Sequence, residues 1–276
     1  MKKITHPQPN TRAAFTLLEL LAVITIISIL LALILPTIGG AMRRAREAQV
    51  SAEISRFETA ITSFKSQYGI EPWSEIVLTE DPGTNPWPSA SKTKLRKIWP
   101  QYTFAVQTDF NNDGDTDDVL TLTGSESLVF FLGGVLDRGG LIGFSKNPIN
   151  PFTRAGDNRD LPSMEFDLSR LLLDSADLDG DGMPEYLDPT PGQTTPYHFA
   201  SSNNGQGYSD SVGHYLDQSD RPWMPDSHQI ISPGEDSILG PATPITPVYT
   251  PETELSGSRL SEADNITNFS GGRLGS

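Results

Sequence analysis

The chain contains no cysteine among its 276 residues, which excludes disulfide staples, thiolate metal sites and cysteine nucleophiles. Histidine is scarce too: His6, His198, His214 and His228 stand at no metal-ligand spacing. No GxSxG turn and no glycine-rich phosphate cradle occurs, so the motifs of serine hydrolases and nucleotide-binding enzymes are missing. Carboxylates that could form an acid–base pair are plentiful, but they cluster in two loops better suited to a cation. These absences point to a structural protein rather than an enzyme. Positive charge is also limited, with 20 Lys and Arg against 35 Asp and Glu and a net charge of −15. That balance argues against a nucleic-acid partner.

The charge is unevenly spread. Residues 1–65 hold 8 basic and 4 acidic side chains, a net of +4, while residues 66–276 hold 12 and 31, a net of −19. A basic, apolar front end is therefore joined to an acidic body. With 24 Gly and 22 Pro, about one residue in six interrupts regular structure, so the body should be rich in long loops.

Residues 15–35 read FTLLELLAVITIISILLALIL, an apolar run whose one charge is Glu19. A helix of this length spans roughly 30 Å, the hydrocarbon thickness of a bilayer. Lys2, Lys3 and Arg12 precede it, and Arg43, Arg44 and Arg46 follow. A core helix of a soluble protein would need a large surrounding core. A cleaved signal peptide, with Gly39, Gly40 and Ala41 as the small residues near its end, fits the basic start but neither the length nor the carboxylate. A retained membrane helix fits best. Inside it Glu19 costs roughly 2.5–3.5 kcal/mol on insertion scales, so it needs a partner or a task. A helix N-terminus favours negative charge there, and a chain cut before Phe15 would expose an α-amino group that could serve a neighbouring copy.

Ala14-Phe15-Thr16-Leu17-Leu18-Glu19, the apolar run and Pro36 together resemble the N-terminus of type IV pilins and type II secretion pseudopilins. The resemblance covers about the first 70 residues. It implies cleavage by prepilin peptidase between Ala14 and Phe15, methylation of Phe15, assembly guided by Glu19 pairing with a neighbour's N-terminus, and a helix kink at Pro36. The family usually has Gly before the cut; Ala14 is also small, so slower cleavage is expected rather than none. Implied partners are other pilin or pseudopilin subunits, the peptidase, an inner-membrane assembly platform and membrane lipid before assembly. The implied location is the bacterial inner membrane, crossed once, with the leader cytoplasmic and the head in the periplasm or outside. The reading of a different class is a secreted, soluble calcium-binding module with a cleaved signal peptide.

Val50, Ile54, Phe57, Ile61, Phe64 and Tyr68 recur at helical spacing, and Gly69 is a natural stop. This stripe should pack on a sheet of the same subunit. Residues 102–107 and 119–123 alternate as strands, and residues 196–201 form a third candidate. Ser125 is placed to cap a short helix over residues 126–132, ended by Gly133. The expected class is α+β: one long N-terminal helix packed on a small antiparallel sheet head with long loops. The expected organisation is a leader (1–14), a membrane or filament-core helix (15–36), its amphipathic continuation (37–69), a globular head (70–205) and a Pro/Gly/Ser-rich C-terminal region (206–276) with a mobile tail.

Two acidic loops carry the remaining chemistry. One holds Asp109, Asn111, Asp113, Asp115 and Asp117; the other holds Asp177, Asp179, Asp181, Glu185 and Asp188. Alternating oxygen side chains followed by glycine let a turning loop aim several ligands at one Ca²⁺, which takes six to eight oxygens. The backbone carbonyl of Met183 is a further candidate ligand. The second loop resembles thrombospondin type 3 and dockerin-like calcium repeats and the start of an EF-hand loop, although it closes on Asp188 rather than Glu. The first has Leu120 at the closing position. Calcium would add folding free energy to a chain without disulfides, and some pseudopilins use it to order their heads.

Overall fold

A computed structural model describes residues 16–173, 179–209, 211–240 and 247–275, with the side chains of Pro36 and Thr37 left out. The chain divides into two compact units, residues 1–45 and 46–276. Its fold is mixed α+β, with a helix α1 over Leu17–Tyr68 followed by small antiparallel sheets.

In the first unit every large apolar side chain of residues 17–35 is exposed. By length and composition this is a segment able to cross a membrane. Its hydroxyls are satisfied within the helix: Thr25 donates to Leu21 O and Ser28 to Ile24 O, both at 2.7 Å.

In the second unit the α1 stripe is buried as its spacing requires, with Phe57 and Phe64 fully shielded. Phe57 meets Tyr197 at 5.2 Å between ring centroids and Tyr186 at 6.1 Å, while Phe64 meets Phe131 at 5.8 Å. The stripe thus packs on rings brought from several elements rather than on one broad sheet. Each such side chain contributes about 1.5–3 kcal/mol on burial. Gly69 ends the helix at φ 79°, its N–H donating to Lys65 O at 2.8 Å.

Strand β1 (Glu75–Thr79) pairs antiparallel with β2 (Val119–Thr123), setting Ile76 opposite Leu122 and Leu78 opposite Leu120 on the core face. Helix α2 (Ser89–Ile98) lies against β1, with Ser91 Oγ accepting from Val77 N and Lys94 donating to Glu75 O, and it buries Leu95 and Ile98. Helix α3 (Gly124–Gly133) is buried along its whole length. It is capped by Thr123 and Glu126, a capping box in which Glu126 Oε2 accepts from Thr123 N at 2.8 Å. Ser125, expected as the cap, is the second residue of the helix and accepts from Tyr186 N at 2.9 Å through its hydroxyl.

Residues 102–107 form no strand. Phe104 adopts φ 55°, which breaks an extended run, and its ring joins Tyr102 at 4.4 Å and Trp87 at 5.4 Å. Here aromatic packing overrides the alternating pattern. Three further sheets follow. β3 (Leu136–Asp137) pairs with β4 (Gly140–Leu141), and β5 (Leu171–Leu172) with β6 (Glu185–Tyr186). β7 (His198–Ser201), β8 (His228–Ser232) and β9 (Ile266–Thr267) form a three-stranded sheet with β8 in the middle.

The C-terminal region is packed, contrary to the mobile tail expected from its sequence. Tyr215, Ile231, Tyr249 and Leu274 form a second core with Trp223 and Phe269 against it. Buried polar groups hold it: Gln229 accepts from Tyr215 N (2.7 Å) and donates to Tyr215 O (2.9 Å), and Tyr215 Oη donates to Glu262 at 2.9 Å. Arg273 reaches Glu47 at 3.0 Å. A few rings and satisfied amides replace the apolar density that the segment lacks. Residues 241–246 of the proline-rich stretch lie outside the described residues.

Candidate functional site

The described part of the expected assembly segment begins at Thr16. Glu19 Oε2 accepts from Thr16 N (2.9 Å) and Thr16 Oγ1 (2.8 Å), while Glu19 N donates to Thr16 Oγ1 at 3.2 Å. This is a reciprocal capping box, which satisfies two orphan donors at the helix start and fixes the carboxylate at the positive end of the dipole. The Thr16–Glu19 spacing was legible in the sequence, yet Thr16 was not among the expected site residues. Ala14 and Phe15 lie outside the described residues, as does the side chain of Pro36, a position within α1.

The two acidic loops face one another. The first hangs from the end of β1 and β2, where Glu80 N donates to Asp118 O at 3.1 Å and Glu80 Oε1 accepts from Phe110 N at 2.6 Å. Asn111 joins the loops: its Nδ2 donates to Asp181 O (2.9 Å), Asp118 Oδ2 (3.2 Å) and Asp113 Oδ2 (3.3 Å). Between the loops is an open cavity of about 620 Å³ lined by Asn111, Asp113, Asp118, Asp179 and Asp181. Carboxylate oxygens converge in two groups, Glu80 with Asp115 and Asp118, and Glu126 with Asp179 and Asp181, each within 4.8 Å of one another.

Glu80 and Glu126 are buried. Burial, with Asp109 and Asp118 nearby, pushes the Glu80 carboxyl up to about 7 against two opposing backbone hydrogen bonds. Burial raises Glu126 to about 9, with Asp181, Asp179 and Glu185 adding to the effect. The donor set is oxygen only, the chemistry of a hard cation. Opposite oxygens in a Ca²⁺ shell stand roughly 4.6–5.2 Å apart, twice the bond length, so the observed spacing fits one ion per group.

The structure brings together only part of each expected ligand set. Asp115, Asp179 and Asp181 fall in the convergent groups, but Glu80, Asp118 and Glu126 join them from outside the expected sets. Asp188 belongs to neither group. It is buried and accepts from Thr190 N, Gln193 Nε2 and Ser232 Oγ, which makes it a structural acceptor for the β8 region. Asp109 is taken up by Asn112 N at 2.5 Å and faces Arg154 at 3.6 Å. Asp113 and Asp115 accept the N–H groups two residues on, and Asp117 lies beside Asp115. Met183 N donates to Asp181 Oδ1 at 2.8 Å, and its side chain is core. Glu185 adds to the rise of Glu126 through its charge. Asp177 lies outside the described residues. No spacing in the sequence ties Glu80 or Glu126 to these loops; sheet pairing and α3 bring them there.

The described histidines are used in packing. His198 Nε2 lies 2.6 Å from Gly213 O, His214 stacks on Tyr208 at 4.5 Å, and His228 Nδ1 lies 3.4 Å from Glu71.

Residues 9–35 match the prokaryotic N-terminal methylation motif, the signature of type IV pilins and pseudopilins. No curated protein and no solved structure matches the chain. The motif indicates a type IV pilin-like substrate of prepilin peptidase, which implies assembly with other pilin-like subunits. It suggests a structural subunit, and among the described residues one helix is long and apolar enough to cross a membrane.

Proposed function

We propose that the protein is a structural subunit of a type II secretion pseudopilus or a type IV pilus-like filament. It is held in the bacterial inner membrane by residues 15–36, with the head in the periplasm or outside, until cleavage before Phe15 and methylation of the new N-terminus. Assembly then replaces lipid around the apolar face with the helices of neighbouring subunits. The observation that carries this reading is the capped Glu19 at the start of α1, whose residues 17–35 are otherwise uncharged and expose every large apolar side chain. Thr16 occupies one of its oxygens, leaving the carboxylate poised for the amine of a neighbour.

N-terminal sequencing of the mature protein tests the processing step. A start at methylated Phe15 is expected, whereas a start near Met42 would support the secreted module instead. Glu19→Ala should leave insertion and cleavage intact and abolish or weaken assembly; wild-type filament yield from this variant would count against the assigned role.

The two carboxylate groups of the head serve, in the same proposal, as Ca²⁺ sites that order the facing loops. Glu80, Asp115 and Asp118 would hold one ion and Glu126, Asp179 and Asp181 the other, with carbonyls and water completing the shells. The convergence of oxygens from separate elements supports this reading.

A further inference from the structure

The acidic body contains one basic element. Of the twelve Lys and Arg in residues 66–276, four lie in α2, as Lys92, Lys94, Arg96 and Lys97, with no acid among its ten residues. Seven of the other eight are consumed by the fold. Arg170 meets Glu53 at 2.5 Å, Arg259 meets Glu262 at 2.7 Å, and Arg159 donates to backbone carbonyls; four more make ion pairs. In α2, Lys94 is spent on Glu75 O at 2.6 Å. Among the described residues Lys92, Arg96 and Lys97 make no ion pair, and Arg96 and Lys97 are exposed, with Arg96 resting over the Phe104 ring at 5.3 Å.

The placement of this face matters as much as its charge. α2 runs back along β1, with Ser91 Oγ accepting from Val77 N and Lys94 reaching Glu75. The acidic loop leaves from the other end, at Glu80 and Asp118. Five residues of strand separate these ends by roughly 17 Å. The loop's Asp113, Asp115 and Asp117 are exposed there, and Asp113 and Asp117 belong to neither carboxylate group.

We infer that the Lys92–Arg96–Lys97 face of α2 docks on the exposed aspartates of the 109–118 loop in a second copy of this chain. The two patches lie at opposite ends of β1, and a contact in which each neighbour engages one of them is heterologous and leaves a free patch at each end. Such a contact propagates rather than closing into a dimer. Opposite charge on the two faces steers approach and fixes register, and like faces repel. This rests on the filament reading above and adds a head-to-head contact to the helix packing.

The absence of cysteine makes the test direct. The full chain carrying both Lys97→Cys and Asp117→Cys, assembled in the membrane of a host that processes it and treated with a short bismaleimide, should yield a ladder of dimers, trimers and higher species. Neither single variant should do so. Ile27→Cys in the apolar helix serves as the control for association. Cross-linking at Ile27→Cys without a ladder from the double variant overturns the inference alone. Loss of both overturns the filament reading and the inference with it. Dimers from Lys97→Cys by itself would mean a symmetric contact and also refute the proposal. The triple reversal Lys92→Glu/Arg96→Glu/Lys97→Glu should lower filament yield about tenfold, since weak attractions become repulsions. Adding Asp113→Lys/Asp117→Lys should recover it; no recovery counts against the pairing. Binding of duplex DNA or phosphatidylserine vesicles through α2, with no ladder, would replace the second copy by an anionic polymer or membrane.

Discussion

Replacing Glu53 by leucine should destabilise the head by about 3 kcal/mol, the lower end of the range for breaking a buried ion pair. Glu53 projects from α1 with a side chain 5% exposed and meets the Arg170 guanidinium through both oxygens, at 2.5 and 2.7 Å. Tyr197 Oη donates to it at 2.9 Å, and Tyr186 Oη at 3.3 Å. Arg170 also bonds Tyr186 Oη and lies over that ring at 4.5 Å. One carboxylate thus fastens the helix to residues more than 110 positions away. Leucine preserves helix propensity and most of the volume, so the loss is electrostatic. It removes the nearest counter-charge of Arg170, which keeps Leu187 O at 3.1 Å and Asp167 at 3.8 Å, and it takes the acceptor from two buried hydroxyls. The low end applies because the Arg170 side chain, 20% exposed, still reaches water in part. The partner change Arg170→Met, added to Glu53→Leu, should recover part of the loss, because an apolar pair of similar volume can replace a buried ion pair, while the Tyr186 and Tyr197 hydroxyls still lack their acceptor. Denaturant unfolding of the full chain in detergent, followed by fluorescence of its four tryptophans, measures both. A single-variant loss below about 1 kcal/mol, or a double variant as unstable as the sum of the singles, would refute this account.

Three other outcomes are expected. Calcium should raise the melting temperature of the chain relative to chelator, and Asp181→Ala should mimic the chelator at its group; no shift together with no bound ion by calorimetry removes the metal proposal. Burial, partly opposed by its bond to Gly213 O, lowers the pKa of His198. The unfolded chain therefore binds the extra proton first, and stability should fall as the pH drops below about 6.5. In His198→Gln that decline should be shallower by up to about 1.4 kcal/mol per pH unit, read from unfolding curves at pH 7 and 5. Gly143→Ala should cost about 3 kcal/mol or more, because φ is 70° and a Cβ would lie 2.0 Å from Asp160 O. Gly139→Ala, with open space around it, is the control and should stay within about 0.5 kcal/mol in the same assay.

The elements that local chemistry controls were legible in the residues. Hydropathy and length define the exposed segment of α1, the 4-3-4 spacing from Val50 defines the buried stripe, and Gly69 supplies the stop. Alternation in residues 119–123 marks β2. The strand expected over residues 102–107 failed because Tyr102 and Phe104 find rings, not a ladder. β8 was invisible for the opposite reason. His228–Ser232 is covered throughout, so no exposed–buried alternation is written into it, and its polar members are paid for by partners far along the chain.

The sequence by itself determined the processing and assembly signature, because cleavage, capping and membrane residence depend on residues within one or two helical turns. It also determined that the body would be acidic and dependent on loops. Only the tertiary structure decided which carboxylates converge: Glu80 from the end of β1 and Glu126 from the first turn of α3 meet loop aspartates to which no spacing connects them, while Asp188 is drawn into the β8 network. It likewise decided that residues 247–275 fold, since Leu274 and Tyr249 find their apolar surroundings only beside Tyr215 and Ile231. Oxygen convergence and ring packing are properties of distance in space, and a linear pattern records them only when the partners are neighbours in the chain.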